Sequence, residues 1–593
     1  MTNIAKTRLA PNQLIKAKNI NINVDGEAEV RGGCVKVSTV AFGTNIDRFI
    51  HFKTNAYDKI IGYGGTYVKR LDTGVPDVWT ALDSSMPDTE DFRSMVIAKD
   101  RLYIGAIDAT GPRKYVAGQS ALWKAGIVFP AVKVTTQEGL SGDLTGTYRH
   151  YYTYYNSVTG EESDPSPISD ELTVSGKQIN LLNFLVSTDP QVDKQRIYRN
   201  PNGVQEYYYV GEKNNDTSGF TDNVVDDNLG EEISFRNAPP KKSAILLWHL
   251  NRMYYVDNDL PNRIRISEPF LPGSVHADNY VDIEVGDGGK IVALASCYDN
   301  IIVFKTSGIF NLIIDKAYPE NSDYIPLVIE YGCVSPMAVE NIGEDVMFLS
   351  PEGLKMVTNS GSSVKDVTIL VPTESGKYID PIANVFRDCY QVNLNKAVGV
   401  YYECRDQYCI SIPYHTSSNN DMTLVWHRQL GVFTYHEGWN VKATNLYLEY
   451  GNKLLYRSHN DQYIYKHDTG FQDDGTNISF EIQSGFNDLT GIPDEKKVRL
   501  VFPTIYGTDG TQITHEVIKD FESGGVQRVI THAGASYWGS AHWGQNYWGA
   551  SGEVLYRHKM KPKGRVFSSR FFGSVNDKIG VAGYQYFFQP KSL

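Results

Sequence analysis

The feature that most constrains this chain is a loose hairpin repeat: an apolar run, an Asn-Asp or Asp-Arg turn, a second apolar run, then a turn containing glycine. Met95–Ala98 turns at Lys99-Asp100-Arg101 into Leu102–Ile104, and Ile245–Trp248 turns at Asn251-Arg252 into Met253–Val256. Ile291–Ala295 turns at Asp299-Asn300 into Ile301–Phe304, and Ala338–Ile342 turns at Gly343-Glu344-Asp345 into Val346–Leu349. Later units run from Ala397–Tyr402 into Tyr408–Ile412, from Leu424–Trp426 into Val432–Tyr435, and from Leu446–Glu449 into Leu454–Tyr456. Branched and aromatic runs of this length fit a pleated strand, and short polar turns reverse it. About six to eight such units, roughly 40 to 50 residues apart, match the period of propeller blades, small antiparallel sheets that bury their faces against their neighbours. The alternative is a series of ordinary meanders in sandwiches.

Two stretches break the repeat. Between Val132 and Ala238 a long aromatic strand (Tyr148–Asn156), a turn region (Ser157–Pro167) and short strands around Asn200-Pro201-Asn202-Gly203 follow the grammar of an immunoglobulin- or fibronectin-like sandwich. From Ile478 onward, runs at Phe480–Gln483, Lys497–Val501, His515–Val517 and Gln527–Thr531 predict a further sandwich. No long segment carries helical spacing with caps at both ends. The expected fold class is all-β: a divergent β-propeller with an inserted sandwich and a C-terminal β-sandwich region. The expected divisions are 1–131 for N-terminal strands and first blades, 132–238 for the insert, 239–477 for the remaining blades and 478–593 for the C-terminal domain.

At 593 residues the chain is too long for one core. Its formal charge of −12 argues against a tight grip on phosphate, which needs clustered Lys and Arg, but suits a wall along which nucleic acid slides. Met1 to Gln13 lacks the apolar stretch of a signal peptide, and no window approaches the ~20 apolar residues that span a bilayer, so stable membrane insertion is not expected. The six cysteines read as reduced and buried, since only Cys404 and Cys409 lie close together and no second pair completes a zinc ribbon.

No nucleophile elbow, zinc-protease helix motif, phosphate loop or dinucleotide fingerprint is present, so no catalytic, cofactor or metal residue is assigned and the chain reads as a non-enzyme. Gly286-Asp287-Gly288-Gly289-Lys290 reads as a tight turn, not a phosphate cradle. The acidic stretch Asp222–Glu232 and the turn Asp257-Asn258-Asp259 lack the ligand spacing of a calcium loop and read as solvated turns. His415, His427, His436, His459 and His467 lie on separate expected strands without the short interval of a chelate. The pairs Glu161-Glu162 and Glu231-Glu232 would face opposite sides of a strand and read as solubilising. The strangest segment is Tyr537–Ala550, in which Trp538, Trp543 and Trp548 recur every five residues with glycine after each. Tyr537, Trp538, Trp543, Tyr547 and Trp548 either present flat rings to a sugar or another subunit, or form the core of a glycine-rich loop.

Several of these residues also carry a resemblance. Gly146-Thr147-Tyr148 to Tyr155, Thr159-Gly160-Glu161-Glu162-Ser163 to Pro167, Arg196-Ile197-Tyr198-Arg199 and Tyr207–Glu212 resemble sandwich inserts of tailed-bacteriophage structural proteins. Leu250-Asn251-Arg252-Met253, Ser267-Glu268-Pro269 and Phe304-Lys305 to Phe310 resemble their propeller portions. Over Arg93 to His467 the chain is similar to the tail nozzle, or tail tubular protein B, family of short-tailed phages. That resemblance implies a homohexamer at the distal end of a virion tail. It implies docking on a tail adaptor protein, contact with a tail fibre or receptor-binding protein, and passage of genomic DNA through the lumen without tight binding. A carbohydrate-binding or carbohydrate-cleaving tail protein on a propeller scaffold is the competing expectation. A cell-surface adhesin with a propeller head is a third.

Overall fold

The computed structural model describes residues 14–590 except 75, 88–91, 359, 369–370, 373–377, 380–382, 440, 448–452, 459–460, 490–493 and 534–552. Among the described residues the helical pieces are Ala383–Arg387 and a few short 3-10 turns; nearly everything else that is regular is strand. No helix among them is long and apolar enough to cross a membrane.

Seven antiparallel four-stranded sheets follow one another along the chain. Five span 48–83, 95–124, 246–282, 291–328 and 340–366; the sixth spans 398–437 and the seventh 441–467. The first strand of each sheet lies beside the first strand of the next, and Val441–Tyr447 of the seventh lies beside Arg48–Thr54 of the first. The sheets are therefore the blades of a closed seven-bladed propeller. Each of the seven gaps between blades holds its own apolar cluster. Phe304 of blade 4 and Phe348 of blade 5 meet with ring centroids 5.1 Å apart, and Ile60 of blade 1 packs in one cluster with Leu455 and Ile464 of blade 7. This geometry explains the continuous apolar runs: Ile301–Phe304 is wholly buried because a blade is covered on both faces.

Hairpin turns behave as their composition requires. Lys99-Asp100 and Leu250-Asn251 both sit at positive φ (48° and 58°, 46° and 61°) and close two-residue loops whose twist matches the flanking strands. The repeat and the blades nevertheless differ in two places. The hairpins at Ala397–Ile412 and Leu424–Tyr435, read as separate units, are the inner and outer halves of blade 6. Blade 1, with polar Lys53, Asp58, Lys59, Lys69 and Arg70 in its strands, is a seventh unit that the apolar pattern hides.

Between blades 2 and 3 the chain leaves the ring. Thr135–Tyr148, Leu172–Leu182 and Phe220–Asp222 form one three-stranded sheet; His150–Tyr155, Lys194–Arg199 and Tyr208–Asn214 form another. The two enclose Tyr148, Tyr152, Val174, Ile179 and Ile197, giving a two-sheet sandwich where the insert was expected.

The described residues of 1–131 divide three ways. Leu14–Lys18, Ile20–Ile22 and Ala28–Val30 join a terminal sandwich with strands from Thr476 to Pro590; Cys34–Lys36 becomes the fourth strand of blade 7; only the rest builds blades 1 and 2. The core of this sandwich unites Ile20 and Val30 with Phe480, Ile505 and Phe571. Both ends of the described chain thus co-fold in one body, and the propeller ring is closed by a strand from far upstream in sequence.

Candidate functional site

The polar machinery of the molecule concentrates where its bodies meet. At the junction of the terminal sandwich with blades 6 and 7, Asn19 adopts φ 52°, a left-handed conformation that asparagine tolerates. Its Nδ2 donates to the Ser479 carbonyl (2.7 Å), and its Oδ1 accepts from the Glu437 amide (2.9 Å) and from Arg31 Nε (3.2 Å). Arg31 is buried and grips both Asp473 oxygens through Nη1 (2.8 Å) and Nη2 (2.5 Å), the bidentate geometry that favours arginine over lysine. Its guanidinium lies 5.4 Å from the Trp439 ring, whose plane is nearly parallel to Tyr456.

His436 and His467, spaced too widely to suggest a chelate, both meet Trp439 edge to face, at 5.1 and 4.0 Å. Burial, with Arg31 and His467 nearby, drives the His436 imidazole well below its ordinary value, so it is a neutral packing group. His427 is likewise buried, hydrogen-bonded to Gln407 and Thr434, and pushed down to about 4 by burial. His415 is outside this cluster, at positive φ beside Tyr414, and His459 lies outside the described residues. A second clasp joins strand Ala28–Val30 to blade 6: Arg405 holds Asp468 through two 2.9 Å bonds and reaches Glu29 at 3.3 Å.

The inserted sandwich has its own pin. Lys114 of blade 2 contacts Glu161, and the same carboxylate accepts from Tyr103 Oη at 3.3 Å; Lys114 and Glu161 are both fully buried. Beside it Gly126 and Gly273 approach so closely that a Cβ on Gly126 would stand 2.3 Å from the Gly273 carbonyl oxygen. The pair expected to be solubilising is therefore structural: Glu162 also accepts from Thr153, Tyr198 and Arg196. Asp222, expected in a solvated turn, is buried and shared by His150 (3.0 Å) and Arg199 (2.9 Å), while Asp226 accepts from Arg199 at 2.6 Å. In these cases the deciding partner lies far away in sequence, which turn composition does not register. The Asp257 turn is committed in the same way, to Arg265 at 2.6 Å. The Gly286–Lys290 segment is a turn, its Asp287 held by Lys305 and Ser307.

Among the described residues no three His, Cys, Asp or Glu side chains are placed to hold a metal ion. His515 and Ser569 make a 3.2 Å contact that resembles a base beside a nucleophile, yet both are buried and the imidazole is driven down to about 3 by burial and the nearby His558. None of the six cysteines forms a disulfide; burial lifts the thiols of Cys34, Cys333, Cys389 and Cys409 to about 12, whereas Cys404 is exposed, contrary to the expectation for it. Tyr537, Trp538, Trp543, Tyr547 and Trp548 lie outside the described residues; they follow the exposed edge strand Val526–Thr531.

No protein-family model matches the chain, and no curated protein matches it. Among solved structures, it is similar to Hsv2 of Kluyveromyces lactis (8% identity, 67% of this chain and 98% of that one, TM-score 0.23). It is also similar to a catalytically inactive virginiamycin B lyase from Staphylococcus aureus solved with quinupristin (12% identity, 59% and 96%, TM-score 0.24). A third likeness is to the extracellular domain of a putative one-component system from B. thetaiotaomicron (11% identity, 86% and 64%, TM-score 0.20). The propeller rests on this chain's own sheet order and closed ring of cores, not on these likenesses.

Proposed function

We propose that this protein is a structural subunit of a phage tail nozzle: a ring-forming component, about six copies around an axis, through which the genome leaves the virion. The observation that carries the reading is the locking of three bodies into one. Each junction is closed by buried, charge-assisted hydrogen bonds: Lys114 and Glu161 for the insert, Arg31 and Asp473 for the terminal sandwich. A hinge-closing enzyme keeps its domain junctions soluble and movable; a tube wall under load needs them fixed.

Two further features support it. The formal charge of −12 disfavours adhesion of DNA to the wall. Blade 4 exposes Ile313 and Ile325 on one face, with Ile329 just beyond the strand, while Pro326 blunts strand addition at that edge; this leaves an apolar face for a neighbouring subunit. In this reading the nozzle docks on an adaptor ring and meets fibre or receptor-binding proteins at its periphery.

Light scattering of the purified protein, alone and mixed with its adaptor, tests the proposal. A particle of about six subunits in either condition is the expected result, since closed cyclic symmetry is how rings terminate. A monomer in both conditions overturns it.

A further inference from the structure

The outward face of the terminal sandwich gathers positive charge, in a chain whose formal charge is −12. Lys497, on strand Lys496–Gly507, stands directly opposite Lys563 in the ladder, a placement that destabilises a sheet when both residues carry the same sign. The ladder with strand Ile579–Pro590 shifts register between Val498 and Leu500. This bulge leaves Arg499 on the outer side with Leu500, while Val498 and Val501 are fully buried beneath. Lys559, opposite Leu500, and Lys561 extend the patch, and Phe587, 58% exposed across from Leu500 on the other neighbouring strand, gives it an aromatic centre. Arg499 first, then partial burial, Lys563 and Lys561 hold the Lys497 ammonium below its ordinary value. Neutralising groups of the same body are spent elsewhere: Glu481 on Lys16 and Arg570, Glu516 on Arg570, and Asp520 on the amides of Arg565 and Val566. Arg499 itself donates to the uncharged Gln589 side chain (2.6 and 3.2 Å), and none of the five cations has an ion pair among the described residues.

A face of opposite character lies on the outer edge of blade 4. Ile313 stands opposite Asp323 in its last ladder, and Ile325 follows Asp323 on the same side of the strand. Tyr318 and Ile329, the latter 74% exposed, flank them. Glu320, Asp323 and Glu330 are exposed along this edge without an ion pair among the described residues, and Lys316 is already held by Asp299 at 2.8 Å. The blade edge is therefore apolar with unmatched acids, and the sandwich face is aromatic with unmatched bases.

We infer that the basic face of one subunit's terminal sandwich seats on the blade 4 edge of the next copy of this chain. The inference rests on the ring reading above and names the two surfaces that meet in it. Within one chain the faces are held apart, because the sandwich is joined to blades 6 and 7, and blade 7 stands three blades round the ring from blade 4. Contact between two different patches of the same chain is head-to-tail, the kind of interface that closes into a ring. Apolar burial of Phe587 against Ile313, Ile325 and Ile329 supplies attraction, while the opposed charges set register and disfavour sandwich-to-sandwich pairing. A second copy thus relieves the Lys497 and Lys563 repulsion and covers the blade edge in one step.

Charge reversal on the full chain, read by sedimentation velocity over a range of concentrations with and without the adaptor, provides the test. One variant carries Lys497→Glu with Lys563→Glu, the other Glu320→Lys with Asp323→Lys; none of the four positions is buried, so the melting temperature should stay that of the parent. Each variant alone should need at least tenfold more protein to assemble. An equimolar mixture of the two should assemble like the parent, since both contacts of an alternating ring are then matched in sign. If a double variant fails to fold, the single exposed changes Phe587→Ser and Ile329→Ser decide, each expected to weaken assembly at least fivefold. A parent that forms rings while the variants assemble unchanged, or a mixture that stays dissociated, overturns this contact and leaves the ring reading standing. A parent that is monomeric in every condition overturns both. Rescue of Lys497→Glu with Lys563→Glu by a chain bearing Glu231→Lys and Glu232→Lys places the partner surface on the insert and overturns the assignment to blade 4. So does retention of a DNA duplex or of anionic lipid vesicles that is lost in Lys497→Glu with Lys563→Glu while assembly is unaffected.

Discussion

Asn19 and Glu161 each make several bonds that no single neighbour could replace. Substituting Asn19 by glycine keeps the φ of 52° accessible but strands Arg31 Nε, the Glu437 amide and the Ser479 carbonyl. At ~1–3 kcal/mol for each buried group left unmatched, a loss of about 2–4 kcal/mol is expected after local rearrangement, and Asn19→Ala should lose about 1 kcal/mol more through its unfavourable backbone. Urea unfolding of the two variants measures both. Glu161→Ala leaves Lys114 buried without its partner and should destabilise by about 3–5 kcal/mol; Glu161→Leu together with Lys114→Leu should recover most of that, because removing both charges removes the desolvation problem. Acid stability follows from the histidines. His427 and His515 are driven down to about 4 and about 3, so between pH 6.5 and those values the unfolded chain binds protons that the folded chain refuses. Stability should therefore fall as pH drops below about 6.5, and His515→Asn should flatten the slope of melting temperature against pH in that window. Glu340 has the opposite sign. Burial lifts it to about 7, so its folded form keeps a proton that the unfolded form loses above pH 4.5, and stability is lost as pH rises through 7; Glu340→Gln should cancel that loss. Glu340 starts the inner strand of blade 5 and acts electrostatically on Arg48, which starts that of blade 1. These blades are not ring neighbours, so the two charges meet across the propeller axis.

At the scale of elements, the strand Cys34–Lys36 does more than its three residues imply. It pairs antiparallel with Ile464–His467 on one side and touches Asp473 on the other, closing blade 7. Since the Val37 amide bonds to Ile464, the alternation of an antiparallel ladder places Val35 in the next hydrogen-bonded pair, with Lys466. Val35→Pro removes that donor inside a sheet and should open the seam between blades 7 and 1, seen as new limited-proteolysis cuts near 37–47 and a lower melting temperature, while the insert keeps its protection. The hairpins themselves were legible in sequence: Ile301–Phe304, Val346–Leu349 and Tyr408–Ile412 all fall within observed strands because local pattern and turn residues decide them. The closing strand was not, since Cys34-Val35-Lys36 carries no periodicity and its identity depends on a partner more than 400 residues downstream. Partners on other strands, 47 residues from Glu161 and 23 and 72 from Asp222, hid the burial of these two carboxylates, whose surroundings read as polar turns. Trp439, Tyr456 and Tyr465 were not singled out in sequence, because their rings come together only where blade 7 packs against blade 6.

For the molecule as a whole, propeller, insert and terminal sandwich form a single unit in which both ends of the described chain sit in one body. Pairing strands between Leu14 and Val30 with strands from Thr476 to Pro590 ties segments far apart in sequence into one sandwich and fixes the orientation of each body for lateral packing. The net acidic surface suits a conduit; raising the salt concentration should leave retention of double-stranded DNA undetectable, whereas a binding protein would show steep salt dependence. In the proposed nozzle this unit repeats around an axis at the tip of a virion tail. Cryo-electron microscopy of tails isolated from the particle that contains the protein tests it most directly. Density for about six seven-bladed propellers around an open distal channel is the result expected; tails whose tip has no propeller density, or propellers hanging as isolated appendages away from the channel, would contradict it.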